Sequence, residues 1–234
     1  MPSPTDEPRI ARVAAQIAEP ARARMLTYLM GGELASAGEL ARAAGVAAST
    51  ASGHLARLEA EGLVTAEVRG RHRYFRLAGE DILRVLEALA LVAEREGHAR
   101  AWSSPARLRL RCARSCYGHL AGRLGVQMLD AMLRQGWLRS VPGGYGLTAA
   151  GGEALVALGV KLDGLEAKPA DAAIAKPCLD WSERRDHLAG PLASALLRHC
   201  LDAGWLRRRD GERSLAITPP GLQALGRWMT VPAC

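Results

Sequence analysis

The sequence predicts a mainly helical α+β fold with β-hairpins, divided into more than one domain. The chain has 234 residues, which is long for one domain and comfortable for two, and 49% of them are hydrophobic. Segments with helical periodicity alternate with short segments of period two. The tetrapeptide HLAG occurs at His119–Gly122 and again at His187–Gly190, each time followed at the same distance by GWLR. A duplicated block indicates two related halves within the second part of the chain.

The N-terminal segment carries a series of helical signals. Apolar residues with helical spacing run through PRIARVAAQIA, and Pro20 suits the first turn of the next helix, PARARMLTYLM. Two further helices are predicted within SAGELARAAGV and AASTASGHLARLEAEGLV, separated by Gly45-Val46. Two short helices separated in this way form the outline of a helix-turn-helix.

A predicted β-hairpin and a further helix follow. The segment LVTAEVRGRHRYFRL alternates apolar and polar residues around a turn at Arg69–Arg71, which is typical of a hairpin, here called the wing. The next segment, residues 79–97, has the spacing of an amphipathic helix. We therefore place a first domain at residues 1–98, a linker at 99–105 and a C-terminal domain at 106–234.

The first domain resembles the ArsR-type winged helix-turn-helix transcriptional regulators. The resemblance is carried by ARMLTYL, ELARAAGVAASTASGHLARLEAEGLV and VRGRHRYFRL. It implies a homodimeric, DNA-binding repressor that dimerises through the helices at 8–18 and 79–97. A dimer of this kind presents two recognition helices one DNA turn apart, so the operator is expected to be an inverted repeat.

The second helix of the helix-turn-helix supplies candidate base and phosphate contacts. Small hydroxyl side chains at a helix N-terminus let the backbone approach DNA, and longer side chains further along can reach base edges. His54 and Arg57 have that reach, and arginine suits guanine best. The alternative is that Ser49 only caps the helix and Arg57 is only solvated. The candidates are Ser49, Thr50, Ser52, His54 and Arg57.

The wing is the second candidate DNA contact. The formal net charge of the chain is +7, which favours a polyanionic partner. Cations clustered at a hairpin tip suit the phosphate backbone or a narrow minor groove. The alternative is a charged hairpin that is only solvated. The wing residues proposed to contact DNA are Arg69, Arg71 and Arg73, with His72 and Arg76 beside them.

The C-terminal domain is interpreted as two winged-helix-like halves, 106–159 and 178–234, joined by the Ala/Lys/Pro-rich stretch 160–177. Each copy predicts a Leu-rich helix, then GWLR, a hairpin and a Thr-capped helix. The hairpin turns are placed at Gly143-Gly144 and Asp210-Gly211. The alternative is a coincidental helix–hairpin–helix repeat with no kinship to the first domain.

The metal sites of the ArsR family are missing from the first domain. The resemblance implies either a Cys-x-Cys pair in the helix before the recognition helix or Asp and His ligands in the domain's last helix. Here the helix before the recognition helix is ELARAAG, which contains no cysteine. In the domain's last helix, Asp81 is present, but position 83 is Leu and only Glu94 and His98 remain. Any sensing is therefore expected in the C-terminal domain.

Cysteines near the first HLAG suggest a site there. If CARSCYGH is helical, Cys112, Cys116 and His119 share one face, and Cys178 could complete a Cys₃His zinc-type set. The alternatives are redox-sensing thiols and inert buried thiols. The five cysteines are an odd number, which argues against a secreted disulfide framework.

Comparison of the two copies separates candidate structural residues from candidate functional ones. Residues present in both copies, such as His119 and His187 or Trp137 and Trp205, are interpreted as structural. Those found in one copy are interpreted as an effector site between the copies, for a metal, a thiol-reactive compound or a small organic molecule. RxCYxHLAG and CLDWSER also resemble the C-terminal extension of a long-chain ArsR-like subgroup, which often has Asp where Gly118 stands. The effector candidates are Cys112, Arg114, Cys116, Tyr117, His119, Cys178, Trp181 and Arg184, with Asp180 beside them.

Two chemical expectations follow for that site. Arginines beside the thiols would lower the thiol pKa and make the cysteines reactive. An aromatic wall with arginines could instead hold an anionic aromatic molecule.

These observations together predict a cytoplasmic transcriptional regulator with double-stranded DNA as its partner. The sequence shows no apolar run long enough to span a bilayer and no signal-peptide h-region, so no membrane partner is expected. Two other classes stay open. The first is an architectural protein that binds DNA without sequence preference, and the second is an enzyme built on Cys116 or Cys178 with a histidine base.

Overall fold

The computed structural model describes residues 8–32, 34–70, 72–93, 105–165, 168–169, 171–210 and 212–233. The chain divides into two compact units, Met1–Ala88 with Asp210–Arg213, and Leu89–Arg209 with Ser214–Cys234. Each unit is described by itself. No helix among the described residues is both long enough and apolar enough to cross a bilayer.

The N-terminal part has the predicted order of helix, helix, helix-turn-helix, wing and helix. A short strand that the sequence did not predict joins the wing, so the antiparallel sheet has the order β1-β3-β2. The helices are α1 (Arg9–Ala18), α2 (Pro20–Leu29), α3 (Ala37–Ala44), α4 (Ala48–Ala60) and α5 (Glu80–Ala93), and the strands are β1 (Ala35–Ser36), β2 (Val64–Arg69) and β3 (His72–Leu77).

Local signals explain where the helix-turn-helix begins and ends. Ser36 and Glu39 form a reciprocal capping box at the start of α3, in which each side chain bonds the other residue's backbone N–H. Gly45 ends α3 with φ of 70°, in the left-handed region that favours glycine. Leu55 and Leu58 on α4 are buried against the rest of the unit's core. The turn between α3 and α4 therefore holds α4 with its apolar face inward.

The second unit repeats the order hairpin, helix, hairpin, helix. The elements are α6 (Pro105–Cys112), then β4 (Arg114–Cys116), β5 (His119–Ala121), α7 (Arg123–Arg134), β6 (Leu138–Val141), β7 (Gly144–Leu147) and α8 (Ala149–Ala157), then β8 (Lys176–Leu179), β9 (Asp186–Ala189), α9 (Pro191–Asp202), β10 (Leu206–Arg208), β11 (Leu215–Ile217) and α10 (Pro219–Gly226).

The rear part of each half has the predicted hairpin and Thr-capped helix, and Gly211 of the second predicted turn lies outside the described residues. Thr148 caps α8 by accepting a hydrogen bond from Gly151 N at 3.0 Å, and Thr218 caps α10 from Gly221 N at 3.1 Å. The first hairpin turn lies slightly earlier than predicted, since Gly144 already belongs to β7. Both halves contribute to one continuous apolar core.

The front part of each half and the connecting segments differ from the prediction. The HLAG segments are strands β5 and β9 with glycine before the next helix, and each is preceded by a partner strand. The last residue of the predicted linker 99–105 is helical, because Pro105 begins α6, and the rest of that linker lies outside the described residues. The stretch 160–177 is more than a connection. Val160 and Ile174 are buried in the core, and Tyr145 N donates to Ala175 O.

Candidate DNA interface and candidate metal centre

Helix α4 presents a polar, exposed face. Its buried residues recur as Ala51, Leu55 and Leu58, and its N-cap residue is Ala47, whose side chain cannot cap. Ser49 therefore does not act as the N-cap, and the first backbone N–H groups of α4 have no side-chain cap. The exposed side chains opposite the core include Ser49, Thr50, Ser52 and Arg57.

His54 lies on a different face from these residues. It follows Ala51 by three positions and precedes Leu55 directly, so it turns toward the buried side of α4. Its Nδ1 lies 3.4 Å from Arg22 Nη1 and 3.7 Å from Glu19 Oε2. The contacts of His54 thus belong to the junction of α1 and α2, and the structure offers Arg57 rather than His54 as the long side chain free to reach a base.

The wing arginines are exposed but partly neutralised. Arg69 Nε donates to Glu67 Oε1 at 2.8 Å. Arg73 Nη2 donates to both carboxylate oxygens of Glu59 at 2.7 Å, and its guanidinium lies 5.2 Å from the centre of the Phe75 ring. Arg73 therefore connects β3 to α4. Arg71 lies outside the described residues.

Four potential metal ligands meet in the second unit. They are Cys116, His119, Cys178 and His187, and one ligand atom of each lies within 4.8 Å of the others. We call these four residues the Cys₂His₂ cluster. The two histidine Nε2 atoms are 3.1 Å apart. All four residues are buried except Cys178, which is half-buried.

The cluster has one half in each repeat. Cys116 on β4 is the direct cross-strand partner of His119 on β5. Cys178 on β8 is likewise the direct partner of His187 on β9. Direct cross-strand partners place their side chains on the same face of a hairpin. Each hairpin therefore contributes one thiol and one imidazole to the cluster.

Asp180 holds His187 from the side away from the cluster. Its Oδ2 lies 3.3 Å from His187 Nδ1 and accepts a hydrogen bond from Gly122 N at 2.7 Å. Its Oδ1 accepts from Ser182 Oγ at 2.7 Å. A carboxylate on Nδ1 orients the imidazole and leaves Nε2 directed at the cluster.

Arg114 compensates the charge of Asp180. Arg114 is fully buried, and its Nη2 lies 2.8 Å from Asp180 Oδ1. Its Nη1 donates to Leu110 O and to Ser182 Oγ, both at 3.1 Å, and its guanidinium lies 4.4 Å from the Trp181 ring centre. Within the described part of the chain, this arginine is therefore bound by protein groups rather than directed at an anionic ligand.

The protonation equilibria of the site follow from these contacts. Burial alone would raise the pKa of Asp180, but the His187 hydrogen bond and the Arg114 charge outweigh it and hold that pKa well below its ordinary value. Burial alone would lower the pKa of His187, but the Asp180 hydrogen bond outweighs it and raises that pKa. The hydrogen bond with Cys178, together with burial, raises the pKa of Cys116 to about 12. The expected lowering of the thiol pKa by arginine is wrong for Cys116, because Asp180 takes up the Arg114 charge.

Comparison with known proteins places the chain in a family. Residues 17–67 match a helix-turn-helix domain family. The uncharacterized HTH-type transcriptional regulator YdfF of Bacillus subtilis is 37% identical over 224 residues, covering 96% of this chain and 98% of that protein. The chain belongs to the HTH-type transcriptional regulators.

Two further relatives match only the N-terminal part. The HTH-type transcriptional regulator Rv0324 of Mycobacterium tuberculosis is 37% identical over 86 residues, which are 37% of this chain and 38% of that protein. The homodimeric winged helix-turn-helix domain of a possible ArsR-family regulator from Mycobacterium bovis is 31% identical, with a TM-score of 0.36, and covers 41% of this chain and 86% of that chain. This protein is a transcriptional regulator with a DNA-binding helix-turn-helix domain.

The predicted ligand set of this regulator needs correction. Cys112 lies outside the Cys₂His₂ cluster because α6 ends there and the chain continues as β4, so the helical spacing to Cys116 does not hold. Its place is taken by His187. Tyr117 occupies the turn of the first hairpin with φ of 46°, and Arg184 is exposed in the loop between β8 and β9.

His187 is absent from the predicted ligand set, although the sequence holds a signal for it, whereas Asp180 is named beside the effector candidates. The two HLAG blocks each begin with His, and in each half a Cys lies upstream of that His. The interpretation of repeated residues as structural does not exclude His119, which is in the predicted ligand set, but it leaves His187 out. A metal centre shared by two repeats, however, requires the repeated residues themselves.

Proposed function

We propose that this protein is a cytoplasmic, homodimeric repressor that binds an inverted-repeat operator and is released by an effector sensed in its second unit. Helix α4 enters the major groove, and the wing contacts the phosphate backbone. The observation that carries the proposal is the exposed face of α4. Ser49, Thr50 and Arg57 lie there, away from the buried leucines, and Ser49 and Thr50 also lie beside the uncapped helix N-terminus.

Exposed apolar faces support the homodimer. None of the α1 residues is buried, and Ile10 is 78% exposed. On α5, Val85 is 50% exposed and Val92 is 53% exposed. Apolar side chains aligned on one helix face favour association with a partner surface. These helices coincide with the segments 8–18 and 79–97, of which residues 94–97 lie outside the described chain.

The Cys₂His₂ cluster supports an effector site in the second unit. A buried group of thiols and imidazoles, oriented by a buried carboxylate, is a costly arrangement for a purely structural core. The wing and α4 contain no comparable group among their described residues. We therefore propose that DNA binding and sensing are divided between the two units.

Substitution of Arg57 tests the DNA-binding assignment. If Arg57 reads a base, Arg57→Ala should weaken binding to the operator by about 1–3 kcal/mol while changing binding to bulk DNA much less. Fluorescence anisotropy with both kinds of duplex measures the two affinities.

Arg198→Ala is the matched control. Arg198 is an exposed helical arginine on α9 that pairs with Asp163 at 2.8 Å, so its removal changes the net charge equally. It should leave the preference for the operator unchanged. Equal loss in the two variants would show that Arg57 contributes only charge and would contradict its role in reading bases.

A further inference from the structure

We propose that the Cys₂His₂ cluster is a tetrahedral metal site of the zinc type, with Cys116 and Cys178 binding as thiolates and His119 and His187 through Nε2. If the metal is the effector, its role in regulation rests on the proposed function. Whether the cluster binds metal is a separate question that can be answered without DNA.

The donor set selects the class of metal. Thiolates favour soft and borderline ions, imidazole suits zinc and its neighbours, and a tetrahedral S₂N₂ set is typical of zinc. Hard cations such as Mg²⁺ and Ca²⁺ prefer oxygen ligands, and none of the four ligand atoms is oxygen. The chemistry therefore points to Zn²⁺ or an ion that resembles it.

The dimensions of the cluster suit such an ion. Zinc bonds of about 2.0–2.3 Å to nitrogen and sulfur separate tetrahedral ligands by roughly 3.3–3.8 Å. The two Nε2 atoms are 3.1 Å apart, and all four ligand atoms lie within 4.8 Å of one another. Small side-chain rotations thus suffice to complete the coordination sphere.

The backbone arrangement delivers the ligands in a symmetrical way. Each repeat supplies one Cys–His cross-strand pair, and strand β5 packs against strand β9, so the pairs face each other. Four ligands from four strands of two hairpins make a closed site, with no position left for substrate. A metal here would connect the two halves of the second unit, which is a structural and sensory role rather than a catalytic one.

The surroundings also fit a bound cation. Two thiolates balance the charge of a divalent ion, so the loaded centre is electrically neutral and suited to burial. Asp180 fixes the His187 tautomer from behind, and Arg114 compensates Asp180, so the carboxylate adds no net charge to the centre. Metal binding would release the thiol protons, because cysteine binds the metal as a thiolate.

Cobalt titration of the reduced, full-length, chelator-treated protein tests the site. We expect Co²⁺ to bind at one equivalent per chain, with visible ligand-field bands of tetrahedral intensity and a thiolate-to-cobalt charge-transfer band in the near ultraviolet. Zn²⁺ should displace the cobalt and abolish both signals. The double variant Cys116→Ser/Cys178→Ser should lack the charge-transfer band, and His187→Gln should lose stoichiometric binding.

Cys200→Ala serves as the matched control, because Cys200 is also a buried thiol of the second unit but lies outside the cluster. It should bind cobalt as the unmodified chain does. Circular dichroism shows whether each variant is folded. If a variant is not folded, the cobalt titration of the unmodified chain decides whether the site binds metal. No cobalt bound at one equivalent by the unmodified protein would overturn the proposal. So would a charge-transfer band that persists in the double cysteine variant.

The protein should also be purified without reductant and then reduced again. If the purified protein carries a Cys116–Cys178 disulfide and the re-reduced protein binds no metal, the proposal is overturned and redox sensing is favoured. The regulatory role is tested separately, by operator affinity with and without Zn²⁺. If Zn²⁺ binds at one equivalent but leaves that affinity unchanged, the metal site stands and its role as effector is overturned.

Discussion

Arg114→Met should destabilise the second unit by about 3–5 kcal/mol, because it leaves the buried carboxylate of Asp180 without its compensating charge. Arg114 and Asp180 are both fully buried, and their charged atoms are 2.8 Å apart. All five tryptophans lie beyond residue 101, so tryptophan fluorescence during urea unfolding reports on this unit.

Two comparisons show whether the effect comes from an uncompensated charge. Arg198→Met removes an exposed arginine that pairs with Asp163 at 2.8 Å, and its cost should be about 0–1 kcal/mol. The double variant Arg114→Met/Asp180→Asn should recover part of the loss, because neither charge then remains buried. A single Arg114 variant as mild as the Arg198 variant, or a double variant worse than the sum of its parts, would contradict this account.

Alanine at two adjacent glycines of α8 should shift stability in opposite directions. A Cβ at Gly151 would lie 2.2 Å from Trp137 O, a backbone atom that cannot move away cheaply. The resulting strain should cost about 1–3 kcal/mol or more. Gly152 differs, since its Cβ would meet only Leu147 Cδ2 at 3.8 Å. There the replacement should stabilise by up to about 1 kcal/mol, because alanine favours the helix.

The second repeat supplies an independent copy of this test. A Cβ at Gly221 of α10 would lie 2.1 Å from Trp205 O, so Gly221→Ala should match Gly151→Ala. Thermal or urea unfolding of the three variants measures the changes. If Gly151→Ala and Gly152→Ala behaved alike, the close packing of the Thr-capped helices on the GWLR strands would not be a stability determinant.

Much of the helical framework could be predicted from the sequence because its signals are local. The Ser36 capping box, the glycine at position 45 and the proline at position 20 each mark a helix end within a few residues. The capping threonines 148 and 218 do the same in the repeats. The wing could also be predicted, since its alternation extends over two strands of six residues each.

The hairpins that hold the Cys₂His₂ cluster could not be predicted in the same way. Strands β4 and β5 have three residues each, too few for an alternation to be visible. Strands β8 and β9 are separated by a loop organised by Asp180, whose partners Arg114 and Gly122 are distant in sequence. The pairing of Cys178 with His187 depends on that loop. The sequence pattern therefore favours helical spacing between Cys112 and Cys116 and does not indicate His187 as a ligand.

Protection of DNA upstream of the protein's own coding sequence tests the central proposal, sequence-specific operator recognition, most directly. In a nuclease footprint with excess bulk DNA, the account predicts two protected half-sites in inverted orientation. Their centres should be about 10–10.5 base pairs apart, or a multiple of that distance, since each recognition helix of the dimer occupies one major groove. Protection that is uniform along the fragment, and that disappears when an equal mass of bulk DNA is added, would contradict the account. It would indicate an architectural protein without sequence preference.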